Sequence, residues 1–140
     1  MLKKRLRVLV AKFGEGYEQA MLNLAHACFE AGFEVVYTDL NDPEPIVATA
    51  MQEAVDHIGI TTLPGARVED FERLFELMEA QGISHVRVTA GGFLDEESVE
   101  KIKKLGVLDF YPKGSIYLKM EQWSREFGET TQPIQYHKSK

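Results

Sequence analysis

The residues able to do chemistry in this chain gather in a few short stretches. Glu15, Tyr17 and Glu18 place a phenol between carboxylates in the loop 12–17 and the residue after it. That grouping suggests acid–base work, but no second group completes a mechanism, and carboxylates there also suit the start of a helix. The phenol is a poor metal ligand: its pKa of about 10 keeps it protonated, and a neighbouring Glu15 opposes ionisation further. Thr61-Thr62-Leu63 offers paired hydroxyls whose everyday roles are helix capping and loop satisfaction. Gly91-Gly92 allows close approach of a ligand or of another backbone, because no Cβ intervenes; a tight strand-to-helix turn is the plainer use. None of these groups makes a catalytic set.

Positioning them falls to a regular alternation of elements. Short β-branched runs alternate with helical patterns five times, the signature of a parallel sheet covered on both faces. Strands are expected over 6–11, 33–38, 57–62, 86–89 and 107–110. Helices are expected over 18–31, 44–55, 68–81, 96–105 and 115–127, with Gly32, Gly82 and Gly106 as stops. Right-handed crossovers then give a doubly wound α/β fold, flavodoxin-like (Rossmann-like), with strand order 2-1-3-4-5. Its ligand crevice lies at the carboxyl ends of strands one and three. The loops there are 12–17, 39–45, 61–67, 90–96 and 111–115. A chain of 140 residues suits one domain, expected over 1–127, with 128–140 a polar and flexible tail.

Composition excludes several classes. A net charge of −6 argues against a nucleic-acid surface. No apolar run approaches the roughly 20 residues of a membrane span, and no signal-peptide core opens the chain. The lone Cys28 fits a reducing cytoplasm and sits in an apolar helical pattern, as a buried structural thiol would. Gly14-x-Gly16-x-x-Gln19 is an incomplete dinucleotide loop, and there is no Walker lysine. A phosphorelay receiver would need an aspartate where strand three ends in Thr61-Thr62, and a flavodoxin would need a Ser/Thr-rich loop where Phe13-Gly14-Glu15-Gly16 stands.

Taken in order, these loops resemble the cobalamin-binding (B12-binding) domain of methylmalonyl-CoA-type mutases and the small subunit of glutamate mutase. The likeness runs from Leu6 to Phe127. It is carried by Ala31-Gly32-Phe33-Glu34-Val35-Val36-Tyr37, Asp42-Pro43-Glu44, Ile58-Gly59-Ile60-Thr61-Thr62-Leu63, the Gly91-Gly92 pair and Tyr111-Pro112-Lys113-Gly114-Ser115. The family's Asp-x-His-x-x-Gly loop reads Glu15-x-Tyr17-x-x-Ala20 here and looks one residue shorter.

The resemblance implies a cofactor, adenosylcobalamin, held by Glu15, Gly16, Tyr17, Thr61, Thr62, Leu63, Gly91, Gly92, Tyr111, Gly114 and Ser115. Thr61 or Thr62 would contact the nucleotide tail, Leu63 would line its pocket, the glycine pair would flank it and 111–115 would close the far side. Tyr17 takes the place of the cobalt-ligating histidine, so no metal ligand is assigned. His26 lies about 13 Å along the helix from Tyr17, His57 and His85 open strands at the other end of the sheet, and His137 is in the tail. The implied protein is the B12-carrying small subunit of an isomerase, an acyl-CoA mutase, paired with a catalytic (β/α)₈-barrel subunit. The other reading is a degenerate homologue that is an interaction module or binds a different small molecule. A slot open beneath Thr61 and Gly91 favours the first, and one filled by Tyr17 and Phe93 the second.

Overall fold

A computed structural model describes residues 6–16 and 18–112. Five strands and four helices alternate: β1 (Arg7–Phe13), α1 (Glu18–Glu30), β2 (Glu34–Tyr37), α2 (Pro43–Gln52), β3 (His57–Thr62), α3 (Val68–Ala80), β4 (Arg87–Gly92), α4 (Glu96–Leu105) and β5 (Phe110–Pro112). All pairings are parallel, in the order β2-β1-β3-β4-β5. The expected flavodoxin-like sheet is present. The helix expected over 115–127 and the tail 128–140 lie outside the described residues, as do Tyr17, Gly114 and Ser115.

Local chemistry sets the helix starts. Asp42 caps α2 by accepting from Glu44 N at 3.3 Å, and Pro43 supplies the fixed φ that suits a first helical turn. Asp95 caps α4 by accepting from Ser98 N at 2.8 Å, which holds its carboxyl below the ordinary range. Gly106, with φ +139°, ends α4 against the Phe75 ring.

The two faces of the sheet differ. Leu9, Ala11, Phe13, Ile58, Ile60, Val88 and Ala90 point toward α2, α3 and α4 and form the main core with Ile46, Val47, Phe71, Leu74, Met78 and Ile102. Phe13 and Phe71 meet edge to face, ring centroids 4.9 Å apart, a geometry favoured beyond simple burial. On the other face a smaller cluster joins Val10 to Met21, Cys28 and Phe33 beneath α1. Cys28 is buried there and its thiol is pushed up to about 12, as expected of a structural cysteine.

Three strands reach farther toward the carboxyl edge than the sequence reading placed them. β1 continues through Lys12 and Phe13, which pair with Thr61 and Thr62. β4 continues through Gly91 and Gly92, so the glycine pair belongs to the ladder and not to the loop after it. β5 is shifted to Phe110–Pro112, which makes Tyr111 a strand residue. For β1 and β4 the reason is common: a ladder recruits backbone, and a central strand with partners on both sides carries residues of low β-propensity to its full length. No helix among the described residues is long and apolar enough to cross a membrane.

Candidate functional site

The registers assemble a single row across the carboxyl ends of the strands: Lys12 on β1, Thr61 on β3, Gly91 on β4 and Tyr111 on β5. Side chains alternate along a strand, and Ala11 and Phe13 face the main core. Lys12 therefore lies on the opposite face, with Val10. The row beneath it is Val10, Gly59 and Thr89.

Among the described residues this face is less closely covered along β3 than the core face. Ile58, Ile60 and Thr62 of β3 are at most 2% exposed, whereas His57, Gly59 and Thr61, which alternate with them, are only half-buried. A Cβ built on Gly59 would meet nothing nearer than Leu9 O at 3.9 Å. A central strand sealed on one face and less closely covered on the other makes this face the candidate slot.

The two threonine hydroxyls have separate fates. Thr62 is fully buried, and its Oγ1 donates to Gly91 O at 3.0 Å. Its own carbonyl accepts from Phe93 N at 3.2 Å, so Thr62 fastens β3 to the end of β4. Thr61 stands on the slot face.

The glycine pair serves the close approach of backbone. A Cβ on Gly91 would come within 2.7 Å of Tyr111 O, and one on Gly92 (φ +120°) within 2.6 Å of Thr62 O. Leu63 is buried, its N–H donating to Phe13 O at 2.9 Å. Tyr111 is nearly buried; burial, then the Asp109 charge and a hydrogen bond with Asp109, push its phenol up to about 12. Phe93 is 54% exposed and does not fill the slot.

Glu15 and Gly16 are both exposed, on a loop tied to two neighbouring loops. Glu15 N donates to Pro64 O at 2.9 Å. The Asn41 amide donates to Gly14 O at 3.0 Å and to Glu15 Oε2 at 2.8 Å. Gly14, with φ +93°, is required here, because a Cβ would strike the carbonyls of Leu63 and Pro64.

The structure thus brings together Glu15, Gly16, Thr61, Thr62, Leu63, Gly91, Gly92 and Tyr111 at one sheet edge. It adds three residues that sequence reasoning did not single out. Asn41 carries no signal beyond its place in a turn. Gly59 was legible only as a strand glycine. Lys12 could have been found by extending the strand's alternation: it is 6% exposed, and among the described residues its ammonium has no hydrogen-bond or ion-pair partner.

The histidines lie elsewhere. His57 is at the amino end of β3, its Nε2 2.8 Å from Thr89 Oγ1. His26 is exposed on α1, 3.5 Å from Glu30, and His85 precedes the amino end of β4. No cluster of three or more metal-binding side chains occurs among the described residues. A cavity of about 390 Å³ lies at the amino end of β4, bounded by Phe75, His85, Arg87 and Leu108, away from the row of strand ends.

The family model for the B12 binding domain matches residues 6–111. The small subunit of 2-hydroxyisobutanoyl-CoA mutase from Aquincola tertiaricarbonis is 38% identical over 104 residues, which cover 73% of this chain and 76% of that one. The small subunit of pivalyl-CoA mutase from Xanthobacter autotrophicus is 33% identical over 112 residues, 79% of this chain and 75% of that one. Among solved structures, a cobalamin-binding protein from Desulfitobacterium hafniense superposes with a TM-score of 0.70 at 16% identity, over 87% of this chain and 59% of that one, and so shares the fold. The chain belongs to the B12-binding domain family.

Proposed function

We propose that this chain carries cobalamin in the carboxyl-edge slot, as the small subunit of a two-component, B12-dependent acyl-CoA mutase. The observation that carries the reading is the open face of β3. Gly59 and Thr61 lie half-buried on a central strand, and Gly59, with no close neighbour over its Cα, leaves a floor on which a planar nucleotide base can lie. The small-subunit relatives of matching length favour the same assignment, and a (β/α)₈-barrel subunit is the partner that would bind the acyl-CoA. In this reading the domain spans 1–127, followed by a tail over 128–140, and the single buried thiol suits a reducing cytoplasm.

The residues fit the cofactor's tail. Thr61 offers a hydroxyl, Gly59 offers floor, Gly91 lets the Tyr111 backbone close in beside it, and Glu15 and Gly16 stand at the rim. They do not offer cobalt an imidazole: His57 and His85 are at the opposite end of the sheet, and Tyr17 stands where the family has histidine. The chain therefore holds the cofactor by its tail and rim, and cobalt takes no histidine from it. When bound, adenosylcobalamin supplies radical chemistry through its weak cobalt–carbon bond. The chain's own part is to bind, orient and present.

Titrating the purified chain with hydroxocobalamin and adenosylcobalamin, followed by visible absorbance and calorimetry, tests this. Saturable binding with a base-off spectrum is expected, and Tyr17→His should then change that spectrum. A base-on spectrum would mean that the tail stays on cobalt and the slot is unused. No binding at high micromolar cobalamin would overturn the carrier reading. It would favour the module without a cofactor, for which the missing histidine is the one specific support.

A further inference from the structure

The side chain of Lys12 is the least satisfied charged group at the slot. It is 6% exposed, lies on the slot face and has no polar partner among the described residues. A buried ammonium without a counter-charge is costly, so such groups are rare unless a partner arrives. The Glu15 carboxylate, three residues along the chain, is exposed and takes the Asn41 amide at 2.8 Å, and no described carboxylate pairs with Lys12.

Thr61 is the register partner of Lys12, on the adjoining strand about 4.8 Å away. A lysine and a threonine on adjoining strands of one face, next to the uncovered Gly59, supply the charge and the hydroxyl of an anion site. Resting on the cobalamin reading, we propose that Lys12 and Thr61 bind the phosphodiester of the cofactor's nucleotide tail, with Lys12 supplying the charge. The choice of group follows from the ligand's chemistry. The corrin side chains of cobalamin end in neutral amides, and the phosphodiester linking corrin to nucleotide is its one fixed anion. With the phosphodiester at Lys12 and Thr61, the base lies over Gly59, in the next row of the same face.

Comparing cobalamin with cobinamide, which lacks the phosphodiester-linked nucleotide, isolates this contact. Wild type, Lys12→Met and Lys12→Arg are titrated with hydroxocobalamin and with cobinamide by calorimetry. Lys12→Met is expected to weaken cobalamin roughly tenfold or more while leaving cobinamide within about twofold, and Lys12→Arg to keep most of the affinity. Cobalamin binding by wild type should also weaken with salt, and binding by Lys12→Met much less. A thermal melt controls for folding: Lys12→Met should melt no lower than wild type, since it replaces an unpaired buried charge with an apolar chain. Equal losses for both ligands, or no loss for either, would overturn the proposal and leave cobalamin binding intact. Wild type binding cobinamide as tightly as cobalamin would do the same. Wild type binding neither ligand would overturn the cobalamin reading itself, and this inference with it.

Discussion

The Asn41 side-chain amide bridges Gly14 O at 3.0 Å and the Glu15 carboxylate at 2.8 Å, joining loops that are separated by all of α1 and β2. The loop after β1 is thereby fixed by a residue of the loop after β2. Asn41→Ala removes both bonds while the Glu15 N–H to Pro64 O bond at 2.9 Å remains. The expected loss of global stability is about 1 kcal/mol. Hydrogen exchange at Glu15 should rise well above that at β1, and unchanged exchange there would show that the clamp is idle.

Thr61 and Thr62 should separate cleanly on substitution. Thr62→Val leaves Gly91 O without its buried donor, at a cost of about 1–3 kcal/mol, read as a lower urea midpoint at constant slope. Thr61→Val, on the open face, should change stability by no more than about 0.5 kcal/mol. Its effect belongs to cobalamin affinity, expected to fall several-fold. A reversed pattern would place the working hydroxyl on the wrong residue.

Gly59 tests the slot directly. A Cβ there is tolerated, since its nearest neighbour is Leu9 O at 3.9 Å, so Gly59→Leu should fold. Its side chain would occupy the space assigned to the nucleotide base. Circular dichroism and melting should stay near wild type while cobalamin titration shows no saturable binding. Full retention of binding would remove the base from this face.

His57 makes stability depend on acid. Its pKa is lowered to about 4, first by desolvation and then by the Arg87 charge, with Asp56 opposing. The unfolded chain titrates this group at about 6.5 and so binds the proton first. Above about pH 6.5 both states are neutral and the group contributes nothing to the slope. As pH falls from about 6.5 to 4, the unfolded state gains protons and stability drops, by about 3 kcal/mol in all. Urea midpoints should fall through that window, and His57→Gln should flatten the fall.

The sheet order and the four described helices were legible because they rest on periodicities of two and about 3.6, which Leu9-Val10-Ala11 and Phe71, Leu74 and Met78 express without ambiguity. The carboxyl edge was less so. Gly91, Gly92 and Lys12 carry no strand propensity, and only their registers with Thr61 and Thr62 place them in the ladder. Motif order on the loops pointed to the carboxyl edge, but it did not divide Thr61 from Thr62, because facing depends on a strand's phase within a sheet. Asn41 was beyond reach, since its partners Gly14 and Glu15 are close only after β1 and β2 have paired.

The phase of β3 has a further consequence. Ile58, Ile60 and Thr62 seal one face while Gly59 and Thr61 floor the other, and only the thickness of a single backbone separates the two. Adding or deleting one residue within His57–Thr62 would exchange these sets, sending isoleucines into the slot and glycine into the core. Length changes are tolerable in the surrounding loops, where they cost little. In β3 they would take fold and ligand site together, which closes this six-residue strand to insertion or deletion.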